Sequence, residues 1–263
     1  MKFLGSKNKI SKHIAPILQN CLDNNNAVGY YEPFFGGGNM MDKITHKRRM
    51  GSDIHKELIE MWYYLLDAHD HPHDYNIPTH ITEQEYRQVK DYRDNISKNQ
   101  FVTTHIPDWY IAFVGFHASF GARYFEGYAR SFKADGVTPR DMSGEAIRNT
   151  MKQLPKLKGV ELHTGCYSEA NPLMTNFVIY CDPPYSGTKE YEHKKFDYNH
   201  FWKWVKFMSL NNWVFVSEYS APPEFKCVWE MEITTKINNV KHDKKIEKLF
   251  IYEKAKGATK KGS

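Results

Sequence analysis

Apolar and polar positions along the chain change period several times, and each change marks an element. Ile10, Ile14, Ile17 and Leu18 recur at helical spacing, which predicts a helix over residues 7–22 with Ser6 as its cap. GYYEPF (29–34) reads as a short strand that stops at Pro33. FGGGNMMDKI (35–44) reads as a glycine turn followed by a helix, and RRMGSDI (48–54) as a second strand ending in Asp53. In HKELIEMWYYLLDA (55–68), Leu58, Ile59, Trp62, Leu65 and Leu66 share one helical face. Helix, strand, turn, helix, strand, helix is the alternation of a doubly wound α/β sheet.

That rhythm breaks after residue 68. HDHPHDYNIPTH (69–80) is a loop rich in breakers, and helices are expected near 83–95 and 108–118. FGARYFEGYARSFKADGVTP (120–139) has no long period, and its glycines predict a loop or hairpin. The α/β rhythm returns with a helix near 143–153, strands near 160–164 and 177–182, a helix near 199–209, and strands at WVFVSEY (213–219) and KLFIYEK (248–254). The expected organisation is one α/β domain over 1–68 and 143–254, built around an inserted module at 69–142. Residues 255–263, AKGATKKGS, are expected to be a disordered tail. No internal repeat is present.

Composition narrows the function classes only slightly. An apolar fraction of 41% in 263 residues supports a sizeable core. Net charge +5 with 15% aromatic residues suits a partner that offers phosphates and bases, but does not establish one. Cys21, Cys166, Cys181 and Cys227 show no metal or C-x-x-C spacing and read as reduced thiols of a cytoplasmic protein. No apolar run approaches the ~18 residues of a membrane helix, so no membrane is expected as a partner. The histidines of HDHPHD (69–74) and His80 lack a matched second ligand pair, so a solvated loop is favoured over a metal site.

Three features lie at the carboxyl ends of expected strands, where open α/β sheets bind ligands. Glycines 36–38 allow a tight turn and close approach to a ligand. The run is neither a triphosphate cradle nor a dinucleotide fingerprint. Asp53 can accept the hydroxyls of a ribose, or cap the helix that follows. In CDPPY (181–185) the prolines fix φ and restrict Asp182 and Pro183 toward extended geometry. The Asp182 carboxylate and the Pro183 carbonyl then form two fixed acceptors beside the flat ring of Tyr185. That arrangement suits a planar molecule with an exocyclic amine, such as adenine or cytosine.

FLGSK (3–7), EPFFGGG (32–38), SDI (52–54) and DPPY (182–185), in that order, resemble the Dam-type DNA adenine-N6 methyltransferases in their alpha motif order. The resemblance covers about 1–66 and 150–254. It implies a Rossmann-like S-adenosylmethionine-dependent methyltransferase sheet with helices on both faces. It also implies S-adenosylmethionine as cofactor with no metal, and double-stranded DNA as partner. A monomer or weak dimer is expected. By position, the resemblance implies that Phe3, Lys7, Phe34, Gly36, Gly38, Asp53 and Asp182 lie at the cofactor, with Cys166 and Tyr167 near its adenine ring. It assigns Asp182, Pro183, Pro184 and Tyr185 to catalysis on a flipped base. Taken alone, a Phe such as Phe3 is usually plain core and a Lys such as Lys7 a solvated charge; their place in FLGSK lifts them.

Sequence choice is expected in the insert, where Arg123, Arg130 and Lys133 interleave with Tyr124, Phe125 and Tyr128. Arginine reads guanine in the major groove, but such residues also serve as phosphate contacts. Relatives that read GATC carry Phe-Asn-Gly in this region, whereas Phe120-Gly121-Ala122 stands here. That departure weighs against GATC as the target. A cytosine-N4 enzyme and a DNA-binding relative without catalysis are the alternatives.

Overall fold

Two parallel strands without an exposed residue set the centre of the sheet. In β1 (Gly29–Glu32) and β4 (Phe177–Cys181) every residue is buried, as expected of parallel strands covered on both faces. The structure, a computed structural model, describes residues 1, 3, 7, 10–102, 104–185, 196–236 and 242–252. With β2 (Arg49–Asp53), β3 (Val160–Thr164), β5 (Trp213–Glu218), β6 (Phe225–Lys236) and β7 (His242–Tyr252), the strands form one mixed sheet in the order β3-β2-β1-β4-β5-β7-β6. β4 is parallel to β1 and β5, while β7 is antiparallel to β5 and β6. This is the Rossmann-like α/β class.

The chain divides into two compact units. The first comprises Met1–Lys12, Phe35–Thr45 and Gly51–Gly165. It holds helices α2 (Lys56–Asp70), α3 (Glu83–Ser97), α4 (Asp108–Ala118), α5 (Met142–Met151) and α6 (Leu154–Leu157). α4 is buried at every residue from Ile111 to Ala118, so it has no polar face and serves as the unit's core. α2, α3 and α5 all pack on it. The second unit comprises His13–Phe34, His46–Met50 and Cys166–Ser263. It holds most of α1 (Ser11–Asn24) and all of α7 (Tyr198–Met208). Its core joins Tyr31, Phe177, Ile179 and Val216 of the sheet to Phe201, Trp204 and Val205 of α7.

Most elements fall near where the hydrophobic pattern places them; α1 begins at Ser11 rather than residue 7, and there are further departures. The helix expected after the glycine turn is only a 3₁₀ turn at Met41–Lys43, because Gly36 and Gly38 take left-handed φ that an α-helix cannot continue through. Trp62 donates its indole N–H to the Gly36 carbonyl at 3.0 Å, and Gln153 Nε2 donates to Gly37 and Gly38 at 3.0 and 2.9 Å. β6 carries no sequence expectation at all, and β7 starts six residues before the expected strand at 248. The stretch 120–139 holds one 3₁₀ turn and two isolated antiparallel bridges, Ser119–Tyr128 and Phe132–Pro139. Ser6 and the expected tail at 255–263 lie outside the described residues.

Candidate active site

At β1 the strand order turns, with β2 on one side and β4 on the other. That is the switch point where ligands bind beyond the strand ends. Because β1 and β4 are parallel, with Tyr31 opposite Ile179, Glu32-Pro33-Phe34 and Asp182-Pro183-Pro184-Tyr185 leave the sheet at the same edge of the second unit. The tetrapeptide is held from two sides. Tyr198, in the first turn of α7, donates its hydroxyl to the Pro184 carbonyl at 2.6 Å. Tyr185 donates its hydroxyl to Glu247 Oε2 on β7 at 2.6 Å. Tyr185 and Glu247 are both buried, at 9% and 5% exposure, and Asp182 is half-buried. Burial, followed by the negative charges of Asp182 and Glu247, pushes the Tyr185 phenol well above its ordinary value. Burial and then Asp182 do the same to Tyr180 and the Cys181 thiol. These neighbours stay neutral near pH 7.

Phe34 and Tyr167 meet in the same unit, their rings stacked at 5.5 Å, with Phe201 edge-on to both. Tyr167 lies 2.9 Å from His200 Nδ1 through its hydroxyl, and burial raises its phenol to about 12. Cys166 packs against this cluster, and its backbone N–H donates to Glu169 Oε2 at 3.1 Å. The two positions matched only by place in the chain thus sit with Phe34 in one aromatic group.

In the first unit, Asp53 closes the glycine turn. Its Oδ2 accepts from the Gly36 N–H at 2.9 Å and its Oδ1 from the His55 N–H at 3.0 Å. Burial raises its carboxyl, opposed by these backbone donors. Asp53 does not cap α2: His55 is the N-cap, accepting from the Leu58 N–H at 3.3 Å. Gly36 and Gly38 adopt φ of +48° and +62°, the left-handed region that glycine enters without cost. A Cβ on Gly36 would lie 2.9 Å from Phe3 Cε1, so the Phe3 ring rests directly on the turn. Lys7 is buried, and its carbonyl accepts from the Ile10 N–H at 2.9 Å. Asp53 accepts from the backbone N–H groups of Gly36, Ile54 and His55, which leaves a lone pair for a ribose hydroxyl. In that respect the donor set fits a nucleoside.

The candidate DNA contacts are less uniform. Arg130 is exposed and forms a two-pronged pair with Glu83, through Nε at 3.0 Å and through Nη2. Arg123 pairs with Glu126 at 3.5 Å. Lys133 is exposed and opens a turn closed by the Gly136 N–H at 2.9 Å. Tyr124 packs inward against Phe116 and His55, both at 4.7 Å. Among the described residues no group of three or more His, Cys, Asp or Glu gathers as metal ligands do, and no helix is long and apolar enough to cross a membrane.

Residues 3–209 match the family model for D12 class N6 adenine-specific DNA methyltransferases. The chain belongs to that family. The matched span contains the glycine turn, Asp53, the candidate DNA contacts and the Asp-Pro-Pro-Tyr run, and the family's base is adenine rather than cytosine. No curated protein matches the chain. Among solved structures, one similar to it is the crystal structure of a "putative RNA methyltransferase" from Pyrococcus horikoshii. Identity is 14%, coverage is 42% of this chain and 57% of the other, and the TM-score is 0.26. The chain thus spans little more than half the length of that structure's chain. Sequence reasoning passed over Gln153, Tyr198 and Glu247 and placed Trp62 only on an apolar helix face, because each reaches its partner only through the folded chain.

Proposed function

We propose that this methyltransferase moves the methyl group of S-adenosylmethionine to N6 of an adenine flipped out of duplex DNA. When bound, the cofactor supplies a methyl group already made electrophilic by its sulfonium. Asp53 would hold the ribose, and Phe3, Lys7, Gly36 and Gly38 would surround the rest of the cofactor on the glycine-turn side. Phe34, Cys166 and Tyr167 would face its adenine ring. The half-buried carboxylate of Asp182 and the carbonyl of Pro183 would accept the two N6–H bonds. Held in this way, the amine turns its lone pair out of ring conjugation, a matter of positioning and electrostatics. Asp182 is then the nearest group to hold the proton that the amine sheds. Pro184 sets the backbone, and Tyr185 offers the ring beside the flipped base. Residues 69–142 would read the sequence, through Arg123, Tyr124, Arg130 and Lys133.

One observation carries this reading. The Asp-Pro-Pro-Tyr run leaves β4 at the sheet's switch point, beside the end of β1, in a chain of an adenine-specific family. The test uses purified protein, duplex DNA and S-adenosylmethionine with a tritiated methyl group. Labelled N6-methyldeoxyadenosine is expected in the digested product. Asp182→Ala should lower transfer by on the order of 10²-fold or more while cofactor binding by equilibrium dialysis persists. Unchanged turnover in that variant would remove Asp182 from the mechanism.

A further inference from the structure

Glu247 lies 38 residues beyond the last position matched by the family model, yet it reaches back to the candidate catalytic run. It sits on β7, whose pairing with β5 and β6 fixes it: Lys248 is opposite Glu218, and Glu247 itself is opposite Met231. Alternate residues of a strand share a face, and Lys245 and Glu247 use theirs together. Lys245 Nζ stands 4.9 Å over the ring of Tyr219, and Tyr219 meets the Tyr185 ring edge-on at 4.5 Å. Glu247 takes the Tyr185 hydroxyl at 2.6 Å in buried surroundings. A tyrosine ring has two soft torsions, and here its far end is tied while one side is bounded by Tyr219. The other anchor of the run, Tyr198 on the Pro184 carbonyl, fixes the backbone but not the ring.

We infer that Glu247 is a positioning residue for methyl transfer, setting the plane of Tyr185 against which the target base is presented. The inference rests on the reading of Asp182–Tyr185 as the catalytic run. It assigns a role to the C-terminal hairpin that the matched segment does not cover.

The test compares Glu247→Leu, Glu247→Gln, Tyr185→Phe and the double variant Tyr185→Phe/Glu247→Leu in the full chain. Removing one partner of a buried hydrogen bond costs more than replacing both by apolar groups. The double variant should therefore exceed Glu247→Leu in thermal midpoint. If the bond positions the ring, its kcat stays at least about tenfold down, with KM for S-adenosylmethionine unchanged. Glu247→Gln keeps an acceptor oxygen and should keep kcat within about threefold of wild type. A double variant that recovers kcat along with its midpoint overturns the inference and leaves the proposed function intact. Wild-type protein that transfers no methyl group overturns both.

Discussion

Gly36 shows how one residue joins backbone geometry to ligand approach. Its φ is +48°, its N–H is bound by Asp53, its carbonyl by Trp62, and Phe3 covers the position of a Cβ. Gly36→Ala adds a Cβ 2.9 Å from an aromatic carbon in a conformation that costs an L-residue ~1–2 kcal/mol. Urea denaturation should report a loss of about that size or more, and affinity for S-adenosylmethionine should fall with it because Phe3 must move. An unchanged midpoint with unchanged affinity would mean that neither the φ nor the Phe3 contact matters. The glycine run was readable in the sequence because glycine is nearly the only residue suited to such angles. The role of Asp53 was readable only in part. The sequence offered a ribose acceptor or a helix cap, and the structure gives a brace between the glycine turn and the start of α2, with a lone pair to spare.

Elements were legible wherever a period ran long. α2 and α3 lie within two residues of their expected ends, and the strand at 160–164 and the helix at 108–118 match at both ends. β6 escaped notice because it is an edge strand with few buried residues, and a register shift between Cys227 and Trp229 breaks its alternation. Its Lys and Glu residues suit a strand that must not recruit another chain. The candidate site was legible at Asp182–Tyr185, where composition and order coincide, and illegible at Glu247 and Tyr198, where only folding creates the contact. Within the proposed recognition module, Thr82 and Glu85 form a reciprocal capping box that fixes the start of α3. Glu83, the first residue of that helix, holds Arg130 through two nitrogens. A guanidinium held along one edge still has donors along the other, and its direction is set, which favours reading a base. Arg123, with a looser partner at 3.5 Å, is better suited to a phosphate. Arg130→Ala should therefore relax discrimination at one base position by about 1–3 kcal/mol. Arg123→Ala should weaken binding to all sequences alike and lower the salt slope by about 1. Methylation of a library of site variants, measured across a salt series, separates the two; uniform weakening by Arg130→Ala would assign it to the backbone instead.

At the scale of the whole molecule, a net charge of +5 is modest, and exposed pairs such as Lys56–Asp108 and Arg140–Glu145 contribute little each to stability. The pH dependence of folding should instead follow buried groups. His117 lies inside the first unit at 2% exposure. Its Nδ1–H donates to the Phe113 carbonyl at 2.8 Å, and its Nε2 stands 2.8 Å from the Thr150 hydroxyl oxygen. Burial lowers this imidazole to about 4. Between pH 6.5 and 4 the unfolded chain binds a proton here that the folded chain refuses, so stability rises with pH across that window and is lost as pH falls through it. At about 1.4 kcal/mol per pKa unit, the loss reaches roughly 3 kcal/mol by pH 4. Glu57 acts lower on the scale. His55, with Nδ1 3.2 Å from Glu57 Oε2, holds that carboxyl at about 2, so its contribution is present above its unfolded value near 4.3 and disappears as pH falls toward 2. The two windows barely overlap, which makes the His117 effect separable. Urea unfolding at pH 7.5, 6, 5 and 4 should give a steadily falling free energy for the wild type. His117→Gln, whatever its stability at pH 7.5, should show a flatter dependence between 6.5 and 4, because the titrating group is gone. An equal slope in the variant would assign the acid sensitivity to other buried groups.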